Sequence, residues 1–269
     1  MSKTSNRIPT GFIDSPFRPR DYDFGVHDLF GSAPVGNDKF LHDHAKHGLN
    51  QFGTSACTSF GVGQVVYVNS AALGVPDLLR VFPAVNGSYF QSRARKWGWE
   101  NVFDVGSGLH DCWEGLLDYG MISDKDLPFD PDPGSINDAP LPHLYRKAAD
   151  NDWLKYRWVL DPPGSRSRRI KQTLDANYAL TLAVEVDESF RQWQLSHGAW
   201  FRQAPRQGSH LMALIGYEAA GAWAVNSHGP DFGEGGLILI SWAYIEHPEC
   251  RGFSTAEINR AKIDAMLRQ

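Results

Sequence analysis

The spacing of apolar and polar positions changes about halfway along the chain. In the first half, residues 57–73 carry apolar side chains on nearly every face of a helix, which predicts a buried central helix despite its β-branched residues. Two more helices are predicted at residues 88–96 and 109–119, and Gly120 is placed to end the second of them. The first half is therefore expected to be mainly helical.

The second half carries the alternating or continuous apolar runs that favour β-strands. Strands are predicted at residues 154–160, 178–186, 210–217, 222–227 and 237–241, and helices at residues 166–176 and about 254–268. No strand–helix–strand unit repeats, so the pattern predicts an α+β fold with the helices in one lobe and most strands in the other. A ligand site is expected in the cleft between the two lobes.

Turn-forming residues indicate where the chain divides. Residues 1–50 are rich in Pro, Gly, Asp and Asn, and they are expected to form a wrapping arm rather than a domain. The remaining residues, 51–269, are predicted to form one two-lobed domain. Proline-rich turns between positions 128 and 142 set its expected internal boundary, with a helical lobe over about 51–130 and a strand-rich lobe over about 131–250.

Charge and hydropathy exclude several classes of function. The 269 residues carry a formal net charge of −5, which gives no basic surface for nucleic acid. No apolar segment approaches the roughly 18 residues that a membrane span needs. The polar start, MSKTSNRIPTGF, does not resemble a signal peptide, so the chain is expected to be cytoplasmic as synthesised.

Cysteine and histidine spacing gives no metal motif. The three cysteines are far apart, so neither a disulfide framework nor a zinc site is expected, and Cys112 and Cys250 are interpreted as structural residues. The stretch HDHAKH, with His42, His44 and His47, has no distant partner in the sequence and is interpreted as a surface turn. No metal or organic cofactor is expected.

The stretch QFGTSACTSFG at residues 51–61 places Cys57 at the N-terminal end of the predicted central helix. The partial positive charge of a helix N-terminus favours a thiolate, although a lone cysteine is also often just a small buried residue. A thiol nucleophile needs a base, a group that orients the base, and donors for the oxyanion. The sequence must supply all three for Cys57 to be catalytic.

Two later strands and one nearby amide supply these groups. His210 opens one predicted strand and Asn226 ends the next, so antiparallel pairing would bring them together, and the Asn226 amide could accept the imidazole N–H. Gln51 precedes Cys57 by six residues, and its side-chain N–H could join the Cys57 backbone N–H as an oxyanion donor.

Four stretches, in order, resemble the papain-like cysteine peptidases in the form that bacteria and their viruses carry. QFGTSAC contains the family's Gln-(x)5-Cys, GSHLMALIGY resembles its histidine strand, and NSHGPDFGEGGL resembles its asparagine segment. Residues 165–190 resemble the helix and strand that lead to a Ser-Phe pair, and residues 11–24 and 106–120 are also similar. No long inhibitory pro-segment is recognisable in the first 50 residues.

This resemblance implies a papain-like two-lobed fold with an antiparallel, β-barrel-like second lobe, and a cysteine endopeptidase that acts on protein or peptide substrates. Cys57 would be the nucleophile that forms a thioester, His210 the general base and acid, Asn226 its orienter and Gln51 an oxyanion donor. Five further residues are implied to bind substrate: Gly106, Ser107, Gly108, Ser209 and His228.

Two departures from the family pattern keep other functions open. The family's two tryptophans in the asparagine segment are replaced here by His228 and Phe232, and the first of them normally covers the His–Asn hydrogen bond. One alternative is therefore a catalytically weak or silent papain-like module that binds peptides. Another is a cell-wall amidase or an acyltransferase that uses the same Cys-His chemistry.

Overall fold

The computed structural model describes residues 10–14, 35–77, 79–148, 153–159 and 164–268. Its helices are α1 (Cys57–Ala72), α2 (Val85–Trp97), α3 (Leu109–Tyr119), α4 (Pro133–Asn137), α5 (Pro142–Ala148), α6 (Arg166–Asp175), α7 (Glu188–Arg191), α8 (Trp242–Ile245) and α9 (Arg260–Met266). Its strands are β1 (Phe12–Ile13), β2 (Lys39–Phe40), β3 (Ser107–Gly108), β4 (Leu154–Trp158), β5 (Leu180–Val186), β6 (Gly208–Tyr217), β7 (Gly221–Val225), β8 (Leu237–Ser241) and β9 (Ser254–Ile258).

Helix α1 is the central element, and it packs against both the other helices and the sheet. Nearly all its side chains are buried, as its apolar composition predicts. Gly61 brings α1 close to β6, because a Cβ atom at this position would lie 2.3 Å from Leu211 Cδ2. The predicted central helix is confirmed, and it lies between the two groups of elements.

The strands form a curled antiparallel sheet in the order β2-β6-β7-β8, with β5 also paired to β6. A separate antiparallel pair, β4 and β9, packs beside α1 and β5. Strand β6 is ten residues long and pairs with three neighbours, because β5 pairs with its residues Gly208 to Leu214, β2 with Gly216 and Tyr217, and β7 with its C-terminal part. This half-barrel beside a group of helices confirms the predicted α+β two-lobed fold.

The buried amide of Asn69 fixes α1 to the strand-rich lobe. Its Nδ2 donates to Thr255 Oγ1 and to the Ala256 carbonyl, both at 2.9 Å. Its Oδ1 accepts the Ala179 N–H at 2.7 Å. Because a buried amide is costly when it is not hydrogen-bonded, these bonds hold the helix that begins at Cys57 in one position against the sheet.

The lobe boundary predicted at about residue 130 stays a prediction, and two further helices follow it. Helices α4 and α5 lie beyond it, and Ile136 of α4 packs with Val85 and Tyr89 in the helical lobe. Leu144 of α5 likewise packs in a cluster with Ile122. Both helices begin with proline, which is well tolerated in a first helical turn because its missing N–H would have no helical partner there.

The predicted C-terminal helix at about 254–268 is only partly correct. Residues Ser254–Ile258 form strand β9, which pairs with β4 from Leu154↔Ile258 to Trp158↔Ser254, and the helix α9 begins only at Arg260. The Asn259 side chain accepts the N–H of Lys262 and caps this helix, which explains the late start. Strand pairing overrides the helical composition of the segment.

The predicted N-terminal arm is described only in part, since residues 1–9 and 15–34 lie outside the described residues. Its described parts contact both lobes, through β1 paired with β3 and β2 paired with β6. The stretch at His42–His44 is a short 310 turn with His42 exposed, which confirms the surface-turn interpretation. Over the described ranges, no cluster of three or more potential metal ligands occurs, and no helix is long and apolar enough to cross a membrane.

Candidate active site

The structure brings His210 and Asn226 together at one end of the β6–β7 pair. The distance from His210 Nε2 to Asn226 Oδ1 is 2.7 Å, and the Ser227 N–H donates to the same oxygen at 2.7 Å. The backbone donor identifies this atom as the amide oxygen, so His210 must donate from Nε2. The predicted imidazole–amide pair is therefore present, with its orientation fixed.

The hydrogen bond at Nε2 leaves the other ring nitrogen of His210, Nδ1, as an acceptor. With the proton on Nε2, Nδ1 of the neutral ring has a lone pair, and it has no hydrogen-bond partner among the described residues. The ring is completely buried, and burial, reinforced by the charge of His228, lowers the pKa of His210 to about 3 against the opposing Asn226 hydrogen bond. At pH 7 this ring is therefore neutral in the described state.

Cys57 is the first residue of α1 and is also completely buried. Burial raises the pKa of its thiol to about 11, although hydrogen bonds from the backbones of Leu211 and Gly11 lower it in part. The Leu211 contact brings the sulfur beside the residue that follows His210. Since a thiol with this pKa is ionised to only about one part in 10⁴ at pH 7, the described state holds a neutral thiol rather than a thiolate.

Gln51 is completely buried, in a loop that crosses to the strand-rich lobe. Its backbone N–H donates to the Ser227 carbonyl at 2.7 Å, and its side-chain Oε1 accepts the Ser227 hydroxyl at 2.6 Å. Its Nε2 donates to the Thr54 carbonyl at 2.7 Å. These bonds fix the amide close to the Cys57 loop. Ser227 was not predicted as a site residue, although its position directly after Asn226 is a signal that could have identified it.

His228 occupies the position where the family pattern has the covering tryptophan. Its ring stacks on that of His210 with a centroid distance of 4.7 Å and an interplanar angle of 19°. Its Nδ1 lies 2.8 Å from Asn226 Nδ2. The side chain therefore covers the His210–Asn226 pair, as a tryptophan would, and adds a hydrogen bond to the amide that an indole ring stacked in this way does not provide.

The glycine-rich edge at residues 106–108 is paired with the protein's own N-terminal segment. The Ser107 N–H donates to the Gly11 carbonyl at 2.8 Å, and β1 continues this pairing in parallel with β3. Gly106 has φ +90°, and a Cβ atom there would lie 2.2 Å from the Gly11 carbonyl oxygen. The residues predicted to contact substrate backbone therefore contact residues 10–14 instead.

Residues 10–14, which we call the cleft segment, pass between the two lobes with little spare room. On the side of the Cys57 loop, a Cβ atom at Gly11 would lie 1.8 Å from the Ser55 carbonyl oxygen. On the side of β6, a Cβ atom at Gly208 would lie 2.4 Å from Thr10 Oγ1. Together with the Gly11 hydrogen bond to Cys57, these contacts place the segment directly over the thiol.

Two side chains anchor the cleft segment. Phe12 is only 7% exposed, and the Arg251 guanidinium lies 5.4 Å from its ring centroid. The Asp14 carboxylate lies 3.2 Å from Arg251 Nε. The segment therefore combines an apolar anchor with an ion pair to the same arginine. Its contact with the site was not predicted, although residues 11–24 resemble bacterial members of the family in sequence.

Ser209 has a different environment from its neighbour His210. Its hydroxyl donates to the buried Glu185 carboxylate at 2.9 Å. The same carboxylate also pairs with Arg251 and Arg206, both at 2.6 Å. Successive residues of a strand point to opposite faces, so Ser209 points away from the side that His210 occupies. These contacts give its predicted substrate-binding role no support.

Three comparisons relate this structure to known proteins. No protein-family model matches the sequence, and no curated protein is detectably similar to it. Among solved structures, xylellain, a cysteine protease from Xylella fastidiosa, superposes with a TM-score of 0.82 at 16% identity, over 94% of this chain and 97% of that one.

Two further solved structures have the same fold. The digestive procathepsin L 3 of Tenebrio molitor matches with a TM-score of 0.66 at 14% identity, over 86% of this chain and 72% of that one. The cysteine protease CMS1MS2 of Carica candamarcensis, in complex with E-64, matches with a TM-score of 0.61 at 15% identity, over 84% of this chain and 100% of that one. The fold is that of the papain-like cysteine proteases.

Proposed function

We propose that this chain is a cysteine endopeptidase. The observation that supports it best is the His210–Asn226 hydrogen bond, because it leaves the lone pair of His210 on Nδ1. The next residue of the strand, Leu211, contacts the Cys57 sulfur through its backbone, so the base and the thiol are close together in the fold. The papain-like fold of the solved relatives supports the same chemistry.

In the proposed reaction His210 first takes the proton of the Cys57 thiol at Nδ1. The thiolate attacks the peptide carbonyl carbon, and the imidazolium gives its proton to the departing amine, which leaves a thioester on Cys57. Water then attacks the thioester, with His210 taking its proton and returning it to the sulfur. Asn226 keeps the imidazole oriented, and Gln51 with the Cys57 backbone N–H stabilises the oxyanion.

We further propose that the described state is a closed form of this enzyme. The cleft segment occupies the edge at residues 106–108 that would pair with substrate, and the buried neutral thiol beneath it is unreactive. Two of the solved relatives carry pro-segments by name, procathepsin L 3 and proCathepsin B. Because Phe12 is buried in the cleft, its position supports a preference for substrates that place a large apolar side chain there.

Labelling by E-64, the molecule bound to CMS1MS2, tests the proposed function. We expect the purified protein to become alkylated at Cys57 and to cleave peptides of a library that contain large apolar residues. Cys57→Ala should show neither activity. Cys112 and Cys250 are internal controls, because both are buried thiols whose pKa is raised by burial, to about 12 for Cys112, and both should remain unlabelled.

The same assays separate the alternatives. A folded protein that binds library peptides but is neither labelled nor able to cleave them, even with its cleft segment displaced, would be a silent binding module. Digestion of purified peptidoglycan without cleavage of any library peptide would indicate a cell-wall amidase. Transfer of the peptide acyl group to an added amine in preference to water would indicate an acyltransferase.

Replacing Gln51 tests the proposed oxyanion site. We expect Gln51→Ala to lower kcat/KM by about 10², because one preorganised donor is lost where negative charge develops. The peptide KM should change little, since the donor acts mainly in the transition state. Steady-state kinetics with a peptide cleaved by the wild type measures both values.

Ser227→Ala is the matched control, because it removes the hydroxyl that holds Gln51 Oε1 but keeps the Gln51 side chain and its N–H donor. We expect it to lower kcat/KM only about tenfold, as a loss of positioning. If Ser227→Ala costs as much as Gln51→Ala, then Gln51 serves to join the loop to the sheet and is not an oxyanion donor.

A further inference from the structure

We infer that His228 is a positioning residue: in its neutral form it holds the Asn226 amide in the orientation that keeps Nδ1 of His210 unprotonated, and its protonation disrupts this alignment. The inference rests on the proposed function for its consequence in catalysis. Its geometric basis is the ring stacking and the hydrogen bonds of His210, Asn226 and His228.

The hydrogen bonds determine the proton positions one after another. Because Asn226 Oδ1 accepts from both His210 and the Ser227 backbone, Asn226 Nδ2 is a donor. His228 Nδ1, at 2.8 Å from Nδ2, must then accept, so a neutral His228 carries its proton on Nε2. The three side chains form a directed chain of bonds from one imidazole to the other.

Protonation of His228 reverses the direction of this chain. An imidazolium has a donor at Nδ1, which would face the Asn226 N–H₂ donor at the same short distance. Turning the amide over relieves that conflict but presents N–H₂ to the Nε2–H of His210, which must then move its proton to Nδ1. The base atom is lost, and the stacked ring 4.7 Å away now carries a charge that opposes an imidazolium at His210.

Charged and titratable groups from other elements lie near His228. A cavity of about 320 Å³ lies beside it, and its lining includes Arg191 from α7 and Asp231 from the loop before β8. His210, from β6, faces its ring directly. Histidine ordinarily titrates near pH 6.5, so a group of this kind can change charge within the range in which the enzyme would work.

Two substitutions separate positioning from titration. His228→Gln offers an amide oxygen that can accept from Asn226 Nδ2 but cannot be protonated near neutrality, whereas His228→Phe keeps a flat ring and offers no acceptor. The measurement is the rate of Cys57 alkylation by E-64 between pH 4 and pH 9. His143→Gln, on the exposed face of α5, is the control and should match the wild type.

At pH 8 we expect His228→Gln to react within about threefold of the wild type and His228→Phe to react about tenfold more slowly, since only the latter lacks the acceptor. Both variants should keep reacting down to a pH about one unit lower than the wild type. Equal rates for the two variants at pH 8 would refute the positioning role. If the alkylation rate of His228→Gln falls at low pH in the same way as that of the wild type, protonation of His228 does not cause the fall.

A second measurement does not depend on reactivity. Imidazole ¹⁵N signals of the full-length protein at pH 8 should show His228 protonated at Nε2 and unprotonated at Nδ1, with the His210 signals changing as His228 titrates. A His228 protonated at Nδ1 at this pH would overturn the inference. Absence of alkylation in every variant, even after Gly11→Ala is added to displace the cleft segment, together with the expected signals, would instead reject the proposed function and leave this inference intact.

Discussion

Alanine at position 11 is expected to raise the rate at which E-64 alkylates Cys57 by about 10³. The added Cβ would lie 1.8 Å from the Ser55 carbonyl oxygen, so the cleft segment cannot stay in place. Its loss removes the Ser107–Gly11 hydrogen bond and the burial of Phe12, together about 4 kcal/mol, and each 1.4 kcal/mol changes the open fraction about tenfold. Mass spectrometry over time gives the rate.

Gly53→Ala is the matched control for this prediction. Gly53 lies in the same loop as Ser55 and has nothing within 4 Å of its added Cβ, so the rate should remain that of the wild type. Phe12→Ala removes the anchor without a backbone clash and should accelerate alkylation by about 10². If neither Gly11→Ala nor Phe12→Ala changes the rate, the cleft segment does not control access to Cys57.

Alanine at position 210 is expected to lower kcat/KM for peptide cleavage by 10³ to 10⁴ when it is introduced together with Gly11→Ala. The loss combines the missing base with the missing acid for the departing amine, each a step in which a positioned side chain contributes about 10² to 10⁴. A peptide that the Gly11→Ala protein cleaves serves as substrate, and the melting temperature shows whether the fold is retained.

The pH dependence of alkylation identifies the reason for this loss. Without the histidine, thiolate forms only as the cysteine itself ionises, so the rate should rise about tenfold per pH unit through neutrality. With His210 present the rate should level off, because the imidazole takes the thiol proton at lower pH. The exposed His197→Ala is the control. A double variant that cleaves within tenfold of Gly11→Ala would rule out His210 as the base.

The positions of Cys57, His210 and Asn226 could be predicted because each lies at the end of a helix or strand with a clear apolar pattern. Helix α1 was recognisable from its apolar run, and the turn between β6 and β7 is short enough that Asn226 had to return beside His210. The contact of His228 with the amide was not predictable in the same way. It depends on the path of the loop that follows β7, which no periodic pattern specifies.

The errors came from segments where tertiary packing outweighs local composition. Pro133 and Pro142 indicated turns, yet each begins a helix whose apolar side chains complete the helical lobe. Residues Ser254–Ile258 contain Ala and Glu, which favour a helix, but they pair with β4 and are largely buried. A strand of this kind is stabilised by a partner about 100 residues away, which a local window does not include.

The place of the cleft segment over Cys57 was not predictable from its local pattern, because residues 10–14 contain no regular periodicity. Gly11 matters through its missing side chain, and its importance is evident only from the position of Ser55 in the folded chain. Phe12 is one of fifteen phenylalanines, and nothing in its neighbours distinguishes it as an anchor. Long-range contacts of this type follow from the fold and not from the order of residues around them.

Arg251 determines how the closed form can come apart. It pairs with Asp14 of the cleft segment and, through Nη2, with the buried Glu185. When the cleft segment leaves, the Arg251 guanidinium remains paired with Glu185. No buried charge is then left unpaired, so the pocket that the segment occupied stays structured. Opening should therefore be reversible without cutting the chain. A free peptide with the sequence of residues 10–14 should compete with the cleft segment for the same binding position.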